Sequence, residues 1–438
     1  MKKALASAGL VAFGALSYQN ADAQNSTAQL IAGDSKPYSL AGTLRGFYDD
    51  NYNTAPAGPD RRSSFGFEVK PSIGLTLNLP QTTVKASYFF DMRYYEDRPE
   101  HKADFSHDFE LLVRHRISDR FSLDASDSFV IAQEPELLNP SDLSAKTRVN
   151  GNNLRNSAAV NLTAKANEEL SFIVGYANTL YDYQQDYGRL TAADKAAGLV
   201  SRSGALDRME QTATLTARYV VNRETTAVLG YQFGDVAYSS AETIGSQGGV
   251  PFTSKIRNNN SHYAFTGLDH YFTQELSGSL RVGVQYTDYY NDPSASSSFG
   301  PYVDISSTWH YREDGSVMLG FTHRRNQTDL VGNSLNQVTS LSNLTLDQES
   351  STFYANISQK ITPKLTGTLS GQYQSSDFKG GLTGNDTEQF VLLGLNLTYQ
   401  FNRFLTGELG YNYDNLASDL SQRSFDRNRV YLGLTASY

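Results

Sequence analysis

The chain has 438 residues, 46 acidic against 37 basic side chains, a net charge of −9 and a mean hydropathy of −0.45. The acidic balance argues against nucleic acid as a partner, and the absence of cysteine rules out disulfide staples and cysteine metal sites. Past the first 23 residues no apolar run reaches 18, which excludes a helical membrane protein, while Tyr (28), Phe (23) and Gly (34) are abundant.

At the amino terminus Lys2 and Lys3 precede an apolar run from Ala4 to Leu16, followed by Ala21-Asp22-Ala23. That is the pattern of a secretory signal peptide over 1–23, cut before Gln24, and 13 apolar residues are too few to span a bilayer as a helix. Residues 24–39 then read as a short periplasmic segment and 40–438 as the folded domain.

From about residue 40 the repeating unit is two long alternating strands joined by a tight turn, with a longer polar connection to the next unit. Tight turns fall near Pro80-Gln81, Ser118-Asp119, Ala166-Asn167-Glu168, Asn222-Arg223, Thr273-Gln274, Glu313-Asp314, Thr362-Pro363 and Asn402-Arg403. With a first strand at about 40–50 and a last at about 425–438, the tally is eighteen. An even count puts both chain ends on one side, as an outer-membrane barrel requires.

Each strand has one apolar face, because successive side chains point to opposite sides. In the second strand Phe65, Phe67, Val69, Pro71, Ile73, Leu75, Leu77 and Leu79 form an outward set, and Glu68, Lys70, Ser72, Thr76 and Asn78 an inward one. Near the other end Val391, Leu393, Leu395 and Leu397 alternate with Leu392, Gly394, Asn396 and Thr398. Strands of ten or more residues are long for a soluble sheet and right for crossing a membrane at a tilt. Pro71 removes a ladder hydrogen bond and predicts a bulge or frayed pairing. Aromatic residues near the turns, Trp309, Tyr311, Tyr399, Phe401 and Phe121 among them, suit the membrane–water boundary.

Longer connections are expected near 50–64, 133–152, 184–205, 239–258, 291–299, 326–346, 376–387 and 416–425. Of these, Gln133 to Asn152, with Leu137 and Leu138 between Pro135 and Pro140, is the best candidate for a loop that folds into the bore. The chain ends on Val430, Leu432, Leu434, Ala436 and Tyr438, every second residue of the last strand. A strand with nothing after it fits a sheet that closes on itself, since a free edge templates aggregation, and its terminal aromatic resembles the signal that barrel assembly machinery reads.

The same alternation turns a set of charges inward: Lys70, Lys85, Arg93, Arg114, Arg116, Arg218, Arg281 and Arg324, with Glu68, Asp91, Asp108, Glu110, Asp124 and Glu408. They read equally as a transverse field across a constriction and as ion pairs that brace the wall. No nucleotide loop, His-Glu-x-x-His or Gly-x-Ser-x-Gly is present, and the seven histidines are scattered, so no catalytic residue, cofactor or metal site is expected.

Three stretches, Gly46 to Tyr52, Tyr94 to Lys102 and Asp127 to Glu136, resemble the bacterial family described as "putative β-barrel porin 2", most specifically over 42–138. The resemblance implies an outer-membrane pore and brings no catalytic residues. Together these readings predict an all-β, antiparallel transmembrane barrel of about 18 strands, with short periplasmic turns and longer extracellular loops, in the outer membrane of a Gram-negative bacterium. The expected function is passive diffusion of small hydrophilic solutes. Polysaccharide or secretion export, or a structural barrel with a blocked lumen, are the alternatives. Expected partners are outer-membrane lipid, the barrel assembly machinery, the solutes and, by analogy with other porins, further copies of the chain.

Overall fold

The computed structural model describes residues 36–132, 152–294, 296–384 and 386–438. The segment 1–23 expected to be a signal peptide, residues 24–35 and almost all of the 133–152 connection lie outside the described residues. The chain runs through β1 (Tyr38–Asp49), β2 (Ser64–Asn78), β3 (Thr82–Tyr95), β4 (Ala103–Arg116), β5 (Phe121–Ala132), β6 (Asn153–Lys165) and β7 (Leu170–Tyr183). It continues with β8 (Arg208–Val220), β9 (Thr225–Tyr238), β10 (Thr243–Gln247), β11 (Val250–Thr253), β12 (Asn259–Tyr271), β13 (Leu276–Asp288) and β14 (Ser297–Arg312). Last come β15 (Gly315–Asn326), β16 (Asp347–Thr362), β17 (Leu365–Lys379), β18 (Thr387–Asn402), β19 (Leu405–Ser418) and β20 (Phe425–Ser437).

Eighteen of these strands form one antiparallel sheet, and β10 and β11 make a separate hairpin inside a loop. The sheet is closed: Leu44 on β1 pairs with Val69 on β2 and with Leu434 on β20. The last residue takes part in the closure, Tyr438 donating its N–H to the Leu40 carbonyl at 2.8 Å while the Leu40 N–H donates to the Tyr438 carbonyl at 3.0 Å. Closure matters because backbone groups facing hydrocarbon find no water to bond.

The eight tight turns fall where the sequence places them. The longer connections number nine, the extra one being residues 96–102 between β3 and β4. It escapes a reading by composition because it is short and its charged run continues the polar alternation of the strand before it.

The face assignment holds along the wall. Phe65, Ile73 and Leu75 are exposed while Ser64 and Glu68 of the same strand are buried, and exposed Val430, Leu432 and Leu434 alternate with buried Arg427, Tyr431 and Thr435. At Pro71 the β2–β3 ladder lapses: Val69 pairs with Met92 and Ser72 with Phe89 in one register, with no pairs between. Pro71 therefore frays the ladder without a bulge, as its missing N–H requires. Aromatic pairs such as Trp309–Tyr311 (5.5 Å) and the exposed Tyr399–Phe401 (5.1 Å) flank the tight turns.

Inside, cross-strand hydroxyls bond to one another, as in Thr43–Thr435 (2.8 Å), Ser279–Ser306 (2.8 Å) and Ser350–Ser376 (2.9 Å). Large interior rings lie flat over glycines of the adjacent strand: Tyr431 covers Gly410, and Tyr354 covers Gly320. A Cβ at either glycine would occupy the space of the ring. Gly410→Val should expel Tyr431 and lower stability by about 1–3 kcal/mol; urea unfolding of the refolded barrel measures this, and an unchanged midpoint would contradict the packing.

Candidate functional site: the barrel interior

The longest ion-pair array lies where the sheet closes. Arg45 on β1 reaches Glu68 on β2 (2.8 Å) and Glu408 on β19 (2.9 Å), spanning the last-to-first strand junction. Glu68 also meets Lys70 (3.4 Å) and Arg93 on β3 (3.7 Å), and Asp91 lies 3.3 Å from Arg93 and 4.0 Å from Lys70. The Arg45 guanidinium stacks on the Tyr431 ring at 4.2 Å. Above this array Arg429 pairs with Asp49 (3.2 Å) and Arg427 with Asp414 (2.5 Å). Asp49, Glu68, Glu408 and Asp414 are buried, so each depends on its cation: desolvated carboxylates are tolerated only when paired.

The structure thus joins five of the sequence-selected residues, Glu68, Lys70, Asp91, Arg93 and Glu408, through one the sequence reading missed, Arg45. Its signal was available, since Arg45 alternates with outward Leu44 in the phase of Thr43 and Phe47. Glu110 accepts from Ser87 at 3.3 Å, and Arg114 lies 3.5 Å from Asp124. Lys85 and Arg116 share that face, and Asp108 stands between Phe89 and Val130 in the ladder. On the far wall Arg218 and Arg281 converge on Asp269 at 2.9 and 2.5 Å. Arg324 follows Thr322, the ladder partner of buried Asp304. Asp269, Asp304, Asp414 and Arg427 are further inward charges that only a strand-by-strand phase would have found.

The two walls differ in access. Lys85, Arg114, Arg116 and Asp124 on β3–β5 keep solvent exposure, 47% for the Arg114 side chain and 44% for Asp124. On β12–β16 the inward residues Phe265, Arg281, Gln285, Tyr302, Thr322, Thr352 and Tyr354 are buried.

These residues pack on one another, as Phe265 and Tyr302 do with Val228, and above the barrel the connections build a cap. Val200, Leu206, Ile244, Val331, Val338 and Leu344, drawn from the connections after β7, β9 and β15, pack into one apolar cluster with Tyr183. Leu330, Phe378 and Leu420 form a second. Fully buried Arg257 donates to the carbonyls of Leu330 (2.8 Å) and Ala205 and lies over the Tyr238 ring at 4.4 Å. From the β19–β20 connection, Arg423 bonds Glu388 (2.8 Å) and Asp329 (3.2 Å). The cap therefore reaches from the β7–β9 side of the mouth to the β18–β20 side. Of the connection singled out from the sequence, Gln133 to Asn152, all but Asn152 lies outside the described residues. Polar composition hid the cap, because its apolar residues arrive in twos and threes from separate loops.

Asp207 anchors the β7–β8 part of the cap, accepting from the Tyr183 N–H at 2.7 Å and the Ser203 hydroxyl at 2.5 Å. Burial, with Asp182 and Glu242 nearby, pushes its carboxyl up to about 6 against the pull of those two donors. A pKa raised by folding means stability present at low pH and lost as pH rises through about 6. Hydrogen-exchange protection factors over 184–207, which divide out the base-catalysed rise of intrinsic exchange with pH, should therefore be higher at pH 5 than at pH 7.5, with Asp207→Asn flattening the difference; equal protection factors in the unaltered protein would refute it. For the array, Arg45→Leu should cost about 3–5 kcal/mol by stranding Glu408, and adding Glu408→Leu should restore part of it because Glu68 keeps Lys70 and Arg93. Denaturant midpoints decide this, and no recovery in the double variant would deny the pairing.

The chain is similar to several solved structures. OpdK of Pseudomonas aeruginosa is 13% identical over 92% of this chain and 99% of its own, with a TM-score of 0.44. OccAB4 of Acinetobacter baumannii is 11% identical over 92% and 99%, with a TM-score of 0.43. OccK2 (OpdF) of Pseudomonas aeruginosa, solved in complex with glucuronate, is 12% identical over 91% and 98%, with a TM-score of 0.45. No curated protein matches the sequence. The family model described as "Putative beta-barrel porin 2" matches residues 41–438, and with its closed eighteen-strand wall the chain belongs to that family of Gram-negative outer-membrane barrels.

Proposed function

We propose that the protein is a passive diffusion channel for small hydrophilic solutes whose path runs along β3–β5, beside the cap. The observation that carries this is the asymmetry of the interior: charged side chains of both signs stay wet on this wall while the opposite wall is packed under the cap. Fixed charges of opposite sign across a constriction orient water and disfavour apolar solutes.

Within that path Lys85, Arg114 and Arg116 stand beside Asp108, Glu110 and Asp124 on one wall, and Glu68, Lys70, Asp91, Arg93 and Glu408 form its flank. Arg218, Arg281 and Arg324 belong to the packed wall, so their part is to brace. The proposal assigns no catalysis and no cofactor. A signal peptide over 1–23 would deliver the chain to the periplasm, and a last strand pinned at Tyr438 suits recognition by barrel assembly machinery. Export of polysaccharide or protein gains no specific support from the interior.

Planar-bilayer recordings of the refolded protein should show stable open steps with weak ion preference. Replacing both Lys85 and Arg114 by Glu should move that preference towards cations while heat-modifiable migration stays normal. Silence at every voltage would establish a blocked barrel, and an unchanged preference would remove β3–β5 from the path.

A further inference from the structure

The lipid-facing surface is not uniform around the barrel. On β18–β20 the outward positions are occupied by exposed leucines, among them Leu393, Leu395, Leu409, Leu432 and Leu434. On β5–β8 the row of directly paired residues reads Asp127, Ala158, Asn178 and Gln211. That these face outward follows from their strand-mates: Val160 and Leu162 share the face of Ala158, Val174 and Tyr176 that of Asn178, and Leu215 and Tyr219 that of Gln211, all exposed. Asp127 shares its face with its ladder partner Leu111 and so with exposed Phe109.

Asp127 stands six residues above Phe121, at the turn end of β5. At about 3.3 Å per residue and a strand tilt of about 40°, that is roughly the middle of a hydrocarbon band of about 25 Å. A carboxylate at that depth facing acyl chains is strongly disfavoured. It has one bond from its own wall, from the Asn156 amide at 2.9 Å, and Gln211, at the other end of the row, accepts from the Tyr176 hydroxyl at 2.8 Å. Alanines at 125, 164, 213 and 217 take further outward positions on β5, β6 and β8, between larger side chains such as Leu162 and Leu215. Small side chains let two walls approach, and polar side chains bond across such a seam.

We infer that the β5–β8 wall is an interface with a second copy of this chain, in which the Asp127–Gln211 row is shielded from lipid. A carboxylate that accepts, beside amides that both donate and accept, makes the row complementary to itself, and the alanines leave room for a close approach. The leucine wall on β18–β20 is the lipid-facing side. This inference rests on the closed barrel and not on what passes through it.

Because the chain has no cysteine, single cysteines report the contact cleanly. In cells, Ala158→Cys should give a disulfide-linked dimer under mild oxidation and Leu432→Cys should not. Native mass spectrometry of the protein in nanodiscs should show a multiple of the chain mass, and Asp127→Leu with Asn178→Leu should reduce it to one chain while heat-modifiable migration remains. A single-chain mass for the unaltered protein, with or without co-purified lipopolysaccharide, would overturn the inference. So would cross-linking at Leu432 in place of Ala158, or an oligomer unchanged by the double substitution in a barrel that still folds.

Discussion

Hydrocarbon offers no hydrogen bonds, and the rest of this molecule is arranged around that constraint. Every N–H and C=O at membrane depth must find a partner within the wall, so the first strand has to meet the last. Leu44 paired to both Val69 and Leu434 is that requirement met, and the reciprocal Leu40–Tyr438 bonds carry it to the final residue. With the wall closed, a period-two sequence does the remaining sorting, apolar side chains to lipid and polar ones to the interior.

The interior then has to settle its own electrostatics. Charges on the solvated β3–β5 face can stand loosely, as Arg114 and Asp124 do. Those at the closing seam are desolvated and form a continuous array, with Arg45 between two glutamates. The same chemistry therefore performs two tasks. Wet charges stay open to the solvated interior, and dry ones hold the first and last strands together. Aromatic rings laid over glycines keep bulk against the wall, as with Tyr431 on Gly410.

Much of this was legible in the sequence because β-alternation is a local signal. The strand number, the eight tight turns, the outward set on β2 and the closing strand all follow from residues next to one another. The inward direction of Glu68, Lys70 and Glu408 follows as well. Their meeting through Arg45 does not, since it depends on strands 363 residues apart coming into register. The cap was illegible for the same reason: Val200, Ile244, Val331 and Leu420 carry no mutual signal along the chain. Composition draws attention to leucines that are adjacent, as in Gln133 to Asn152, and the cap gathers its apolar residues one or two at a time.

The cap also fixes an order of events. Its pieces come from connections after β7, β9, β15, β17 and β19, and Arg423, which clamps Asp329 and Glu388, arrives only with the final hairpin. Contacts between such distant segments form late, because the chain between them must first be organised. An unfinished cylinder therefore has an unlatched mouth, and the lid locks only once its last stave is seated. The latch thereby distinguishes a finished barrel from an incomplete one on the cell-surface side alone.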